Sequence, residues 1–304
     1  MTKEEYYQSS LRRRKAIREK LSDHPLLYSV GKSIHHSYCS LTHSLHTNPD
    51  FLIIGTPKSA TTALFQYLLK HPSIYPPLTK QIHYFDRYYH RGLSWYKICF
   101  PYKWEKFKLK KNLKSKFLTG EATVHYMLHP LAAKRVAATF PNIKLIVMLR
   151  NPVDRAYSHY QMELANKNEN LSFEEILLEE PKRLKGEIER LSIDDKYDSI
   201  EYPHRAYLAT GHYAEYMKKW FEYFPRKQFL IIKNEEFLSD ISKGYNKVLN
   251  FLNVPNYELS EYKKIHGRKY EKMKPETRIK LIEYYKPYNA ELNKLMKTDF
   301  GWDK

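Results

Sequence analysis

The sequence predicts an α/β domain built around a largely parallel sheet, and three stretches carry that prediction. Phe51-Leu52-Ile53-Ile54 is a short apolar run that stops at Gly55 and gives way to a helical pattern. Ile143 to Arg150 is a second strand of the buried type, followed by Asn151-Pro152 and another helical pattern. Phe229-Leu230-Ile231-Ile232 is a third. Short apolar runs alternating with amphipathic helical stretches suit a sheet with helices on both faces, because its strands must bury both of their sides.

Residues 1 to about 48 are expected to form an N-terminal arm, with residues 49–304 as the single main domain. Within the arm, Leu11-Arg12-Arg13-Arg14-Lys15 with Ala16, Ile17 and Leu21 reads as a short basic helix. It suits either contact with a polyanion or partner, or a solvated helix resting on the domain. The first helix of the domain should run from Thr61 to Lys70. Ala63, Leu64, Tyr67 and Leu68 form its apolar face, and His71-Pro72 ends it. After the second strand, Asn151 is placed to cap a helix and Pro152 to occupy its first position, where a missing N–H costs nothing. That helix carries Val153, Ala156, Tyr157 and Tyr160. Asp194 to Arg205 is polar and reads as loop.

Composition bounds the partners. Hydrophobic residues make up 42% of the 304, enough for a true core. The net charge of +18 points to anionic partners: a nucleotide, a polyanion, nucleic acid or a membrane surface. The 27 tyrosines are spread along the chain rather than set in an RNA-binding signature, so nucleic acid is not the expected partner. Cys39 and Cys99 are the only cysteines, which gives no disulfide framework and no metal-type spacing. His35, His36, His43 and His46 read as polar loop residues, and no metal is expected. No apolar run is long enough to span a membrane, and the N-terminus lacks the apolar core of a signal peptide. The expected location is cytoplasmic, or the Golgi lumen if a membrane anchor precedes this sequence.

The chemistry begins at Gly55-Thr56-Pro57-Lys58-Ser59-Ala60-Thr61-Thr62-Ala63-Leu64. A strand, a tight loop and a helix N-terminus make a phosphate cradle. Loop N–H groups point inward, the helix dipole favours an anion, and Lys58 adds a full charge. The loop is not of the ATPase or GTPase kind, which needs G-x-x-x-x-G-K-[ST]; counted from Gly55, the chain has Ala60 and Thr61 where Gly and Lys belong. A nucleotide kinase is excluded on the same ground. The dinucleotide fingerprint fails because Gly55 stands alone. The competing reading is an ordinary strand–turn–helix with a surface lysine. Arg150, at the end of the second strand, can grip a phosphate with its planar fork, and Ser158 can donate a hydroxyl. The competing reading for Arg150 is a structural ion pair.

Together the segments G-T-P-K-S-A-T-T-A-L and R-N-P-V-D-R-A-Y-S-H-Y resemble the two phosphate-binding motifs of sulfotransferases that use 3′-phosphoadenosine-5′-phosphosulfate (PAPS). The resemblance runs from about Phe51 to the C-terminus and is closest to the carbohydrate branch, the heparan sulfate N- and 3-O-sulfotransferases and their bacterial relatives. It is supported by Lys80-Gln81-Ile82-His83-Tyr84-Phe85-Asp86, Gly92-Leu93-Ser94-Trp95-Tyr96, Gly120-Glu121-Ala122-Thr123, Gly211-His212-Tyr213 with Trp220, and His266-Gly267-Arg268-Lys269-Tyr270. The resemblance implies a P-loop-type three-layer sandwich. It implies that Thr56, Pro57, Lys58, Ser59, Ala60, Thr61, Thr62 and Ala63 hold the 5′-phosphosulfate end. Lys58 would also neutralise the bridging oxygen as the sulfuryl group leaves. Arg150 and Ser158 would hold the 3′-phosphate, and Gly267 and Arg268 would close over the nucleotide. No metal is implied, since a sulfuryl group carries less charge than a phosphoryl group. The acceptor implied is a carbohydrate or a small molecule.

The departures from the family pattern concern proton transfer. The carbohydrate branch has a Glu where this chain has Gln81, and an amide cannot take a proton at neutral pH. Three routes stay open: an inactivating substitution; a natural site with Glu121, His83 or His125 as base; or an amine acceptor that needs little help. The first would leave a PAPS- or polyanion-binding relative without activity. His266 stands where the N-sulfotransferases have a Lys, and it could bind the same group or act as a base. Ala122 stands where the 3-O-sulfotransferases have an acceptor-facing Lys, which argues against a highly sulfated acceptor. Tyr84, Tyr88, Trp95 and Tyr96 are candidates to stack on sugar rings or to pack in the core.

Overall fold

The computed structural model describes residues 37–107, 116–262 and 270–303. The basic run at Leu11–Lys15, His35, His36, His266, Gly267 and Arg268 lie outside the described residues. The sheet contains β1 (Phe51–Gly55), β2 (Ile74–Tyr75), β3 (Leu118–Glu121), β4 (Lys144–Leu149) and β5 (Phe229–Lys233). Their order is β2-β3-β1-β4-β5, and every neighbouring pair is parallel.

The helices, in chain order, are α1 (Thr61–Lys70), α2 (Gly92–Lys97), α3 (Ala132–Thr139), α4 (Pro152–Ala165), α5 (Phe173–Arg183) and α6 (Glu187–Ile193). There follow α7 (Glu201–Arg205), α8 (Tyr213–Tyr223), α9 (Asn234–Ser239), α10 (Ile241–Leu252) and α11 (Pro275–Met296).

Strand alternation divides the core. Leu52, Ile54, Leu145, Val147 and Leu149 face one layer, which includes Val136 of α3 and Met217 and Trp220 of α8. Phe51, Ile53, Ile146, Met148, Leu230 and Ile232 face the other, against α1 and α10. Each Ile or Leu fully buried there contributes about 1.5–3 kcal/mol relative to an exposed position. A third cluster joins α4, α5 and α11 through Val153, Ala156, Ile176, Leu281 and Tyr285.

The helix expected from Thr61 to Lys70 has those bounds, and Ala63, Leu64, Tyr67 and Leu68 are buried on it. Asn151 caps α4 by accepting hydrogen bonds from the N–H groups of Val153 and Asp154, with Pro152 at the first helical position. Two strands were not expected, and the sequence reading named only two of the domain's helices, α1 and α4. β2 and β3 have only two and four residues, and Leu118-Thr119-Gly120-Glu121 has no apolar run to announce it. Their pairing comes from the sheet: Gly120 lies beside Phe51, where a Cβ would sit 2.4 Å from the Phe51 carbonyl oxygen. The stretch read as loop, Asp194 to Arg205, ends in the short helix α7.

Ahead of β1, Cys39 and His46 are buried. The Nδ1–H of His46 donates to the Phe100 carbonyl at 2.6 Å, and the Thr47 N–H donates to that of Pro101 at 2.8 Å. Among the described residues no helix is long and apolar enough to cross a membrane.

Candidate active site

In this strand order β1 lies between β3 and β4, so the chain leaves β1 toward one edge of the sheet and reaches β4 on its other side. Such a switch point opens a crevice beyond the carboxyl ends of the two strands. The loop after β1 and Arg150 after β4 both lie there.

The loop is built to offer N–H groups. Lys58 and Ala60 have φ of 68° and 59°, and alternation of left-handed with right-handed backbone gathers amide hydrogens into a concavity that suits an anion. Ala60 occupies the N-cap of α1 and supplies no side-chain cap, which leaves the first-turn amides of Thr61, Thr62 and Ala63 for a ligand. Thr56 and Ser59 are fully buried and brace the loop. The Thr56 N–H and hydroxyl donate to the Met148 carbonyl at 2.8 and 3.0 Å, and its hydroxyl lies 2.7 Å from that of Ser59.

Arg150 joins the two halves. Its Nη1 donates to the Lys58 carbonyl at 3.1 Å, and its own carbonyl accepts from the Tyr213 hydroxyl at 2.8 Å. Arg150 also lines a cavity of about 350 Å³ with Asp154, Tyr157, Tyr270 and Arg278. Ser158 is buried on α4. Further along that helix, Glu163 is held below the usual carboxylate range. Burial opposes this, but hydrogen bonds from His204 and Asn168 and the charges of His204 and Lys58 outweigh it.

Lys80 had no role of its own in the sequence reading. Its ammonium donates to the Thr62 hydroxyl at 2.6 Å, beside the α1 N-terminus, and burial holds its pKa down to about 8. An anion in the cradle would stabilise its charged form.

The next residues form a hydrogen-bonded chain. The Nδ1–H of His83 donates to Asp86 Oδ2 at 2.8 Å, and the Gln81 amide oxygen lies 3.1 Å from His83 Nε2, placed to accept its N–H when the ring is protonated. Asp86 is buried and still held below its usual range: burial works against ionisation, but the hydrogen bond and charge of His83 prevail. Asp86 thus fixes the imidazole so that Nε2 carries the lone pair when the ring is neutral. An amide suits both ring states, donating N–H to a neutral Nε2 or accepting from a protonated one.

The other two base candidates are positioned differently. Glu121 is fully buried and accepts from the Ile82 N–H at 3.0 Å and from the hydroxyls of Thr123, Tyr96 and Tyr126 at 2.5, 2.9 and 2.8 Å. Burial raises its pKa, and its role is to anchor the loop that carries Gln81 and His83. Burial depresses His125 to about 4, with the neighbouring His83 acting in the same direction. His83, Asp86 and His125 offer ligand atoms within 4.8 Å of one another, a spacing a divalent ion could use, although the His83–Asp86 bond satisfies those two groups without one. Tyr84 and Tyr96 are buried and stack at 4.6 Å as core, whereas Tyr88 and Trp95 are half-buried.

Comparison with known proteins gives the family and the fold. Residues 48–297 match the family described as the sulfotransferase domain. The chain is 32% identical over 280 residues to the human bifunctional heparan sulfate N-deacetylase/N-sulfotransferase 3, covering 82% of this chain and 30% of that protein. It is 28% identical over 279 residues to mouse heparan sulfate glucosamine 3-O-sulfotransferase 3B1, covering 84% of this chain and 65% of that one. The chain thus spans under two thirds of both relatives. The crystal structure of a sulfotransferase from Alicyclobacillus acidocaldarius superposes with a TM-score of 0.65 at 29% identity, covering 85% of this chain and all of the other.

Proposed function

Because the chain belongs to the sulfotransferase domain family, we propose that it moves a sulfuryl group from PAPS to a hydroxyl or amine of a carbohydrate. The observation that carries this reading is the cradle at the switch point: an uncapped α1 N-terminus and a loop tied through the Lys58 carbonyl to Arg150. The heparan sulfate relatives support a sugar acceptor, and a small-molecule acceptor remains the alternative.

In this reading Lys58, Lys80 and the amides of Thr61 to Ala63 hold the 5′-phosphosulfate end, and Arg150 and Ser158 hold the 3′-phosphate. His83 Nε2 takes the acceptor's proton while Asp86 stabilises the imidazolium that forms. The acceptor oxygen or nitrogen forms a bond to sulfur as the bond from sulfur to the bridging oxygen breaks. Its electron pair stays on the 5′-phosphate, where Lys58 and Lys80 neutralise it. Gln81 adjusts to both states of His83, so the chain works without a carboxylate at that position.

Single-turnover transfer of labelled sulfuryl from PAPS to desulfated glycan acceptors tests the proposal. The wild-type chain should transfer and Lys58→Ala should not. Near-normal turnover in Lys58→Ala would contradict it.

A further inference from the structure

At the opposite edge of the sheet, the segments before β1 and before β3 form an exposed face that the proposed reaction does not use. The helical segment 37–45 carries Tyr38, Leu41 and Leu45 at spacings of three and four, hence on one side. The segment 102–107 carries Trp104 and Phe107. The two segments are joined: the hydroxyls of Tyr38 and Tyr102 are hydrogen-bonded, Tyr102 packs at a tilt against His46 with centroids 4.0 Å apart, and Trp104 stacks on Tyr102 at 3.9 Å. Leu41, Phe107 and Trp104 are 79%, 72% and 48% exposed, which is unusual for large apolar side chains brought together in one place.

Charge identifies the partner. Lys103 and Lys106 are exposed beside these aromatics. From residue 103 to 116 the sequence holds seven lysines and one glutamate. Apolar and aromatic side chains flanked by Lys103 and Lys106 match the boundary of an anionic bilayer. There Trp and Phe leave water, and lysines meet the headgroup phosphates. A sulfated or carboxylated glycan would use the lysines but would gain nothing from Leu41 or Phe107.

We propose that this face docks the protein peripherally on an anionic lipid surface. His46, which pairs with Tyr102, lies just ahead of β1, and the Lys106 charge reaches Asp50 at the start of β1, so the face is at the edge where that strand begins. The cradle is at the edge where β1 and β4 end. A molecule docked in this way keeps its crevice turned away from the bilayer and open to acceptors in solution. The inference does not depend on the sulfuryl-transfer reading.

Co-sedimentation with vesicles tests it. The wild-type chain should bind phosphatidylcholine vesicles that contain phosphatidylglycerol, much less to phosphatidylcholine alone, and less as salt rises. Trp104→Ser/Phe107→Ser and Lys103→Glu/Lys106→Glu should each weaken binding about tenfold or more. Ile279→Ser, at an exposed apolar position on α11, should leave it unchanged. Thermal melts equal to wild type would show that the variants are folded. Absence of binding to anionic vesicles at low salt would overturn the proposal. So would wild-type binding by the aromatic variant. Binding to heparin but not to vesicles, lost in the lysine variant, would assign the face to a glycan instead and overturn it as well.

Discussion

In the proposed reaction His83 takes the acceptor's proton and Lys80 helps to hold the donor's 5′ end. If His83 is the base, His83→Asn should lower the single-turnover rate by about a hundredfold or more while donor binding stays intact. Adding Gln81→Glu to that variant should restore part of the rate, because a carboxylate then stands within reach of the same proton. An active His83→Asn would remove His83 from the mechanism. Lys80 gives a pH signature. Burial lowers its pKa to about 8, so it carries its charge below that pH and loses it above. Affinity for the desulfated donor product should therefore fall as pH rises through about 8, and Lys80→Met should flatten that dependence. A profile identical in wild type and Lys80→Met would contradict the role. The sequence named Lys58, Arg150 and Gln81 from motif spacing, but left the base open among Glu121, His83, His125 and His266. Spacing cannot show that Glu121 is sealed under four donors while His83 rests on Asp86; burial and long-range contact decide that.

Elements were legible where local chemistry agrees with the fold. β1, β4 and α1 announce themselves by apolar runs and helical periodicity, and α4 by Asn151-Pro152. β2, β3 and α7 were not legible, because segments of two to five residues hold too little pattern and exist through pairing and packing. Gly120 shows this dependence. Gly120→Ala places a methyl group against the Phe51 carbonyl and ring, so β3 must move away from β1. The expected cost is about 1–3 kcal/mol, seen as a thermal midpoint lower by several degrees. An unchanged midpoint would mean that the two strands can separate freely. Asn151→Ala should cost about 1 kcal/mol through loss of the α4 cap, and it should weaken donor binding by displacing the adjacent Arg150.

At the scale of the whole molecule, parallel strand order and site location belong together. The order β2-β3-β1-β4-β5 puts the two phosphate-type motifs side by side, though 92 residues separate Lys58 from Arg150 in sequence. The α/β class with a parallel sheet was legible from alternation alone. The strand order was not, since it depends on β3 inserting between β2 and β1. The +18 charge gave only a class of partners and could not say where on the surface they would bind. Titration calorimetry with adenosine 3′,5′-bisphosphate, the desulfated donor product, tests the donor site most directly. One molecule should bind per wild-type chain, with binding lost in Lys58→Ala and strongly weakened in Arg150→Ala. No binding to the wild-type chain, or equal binding to all three, would contradict a donor site between β1 and β4.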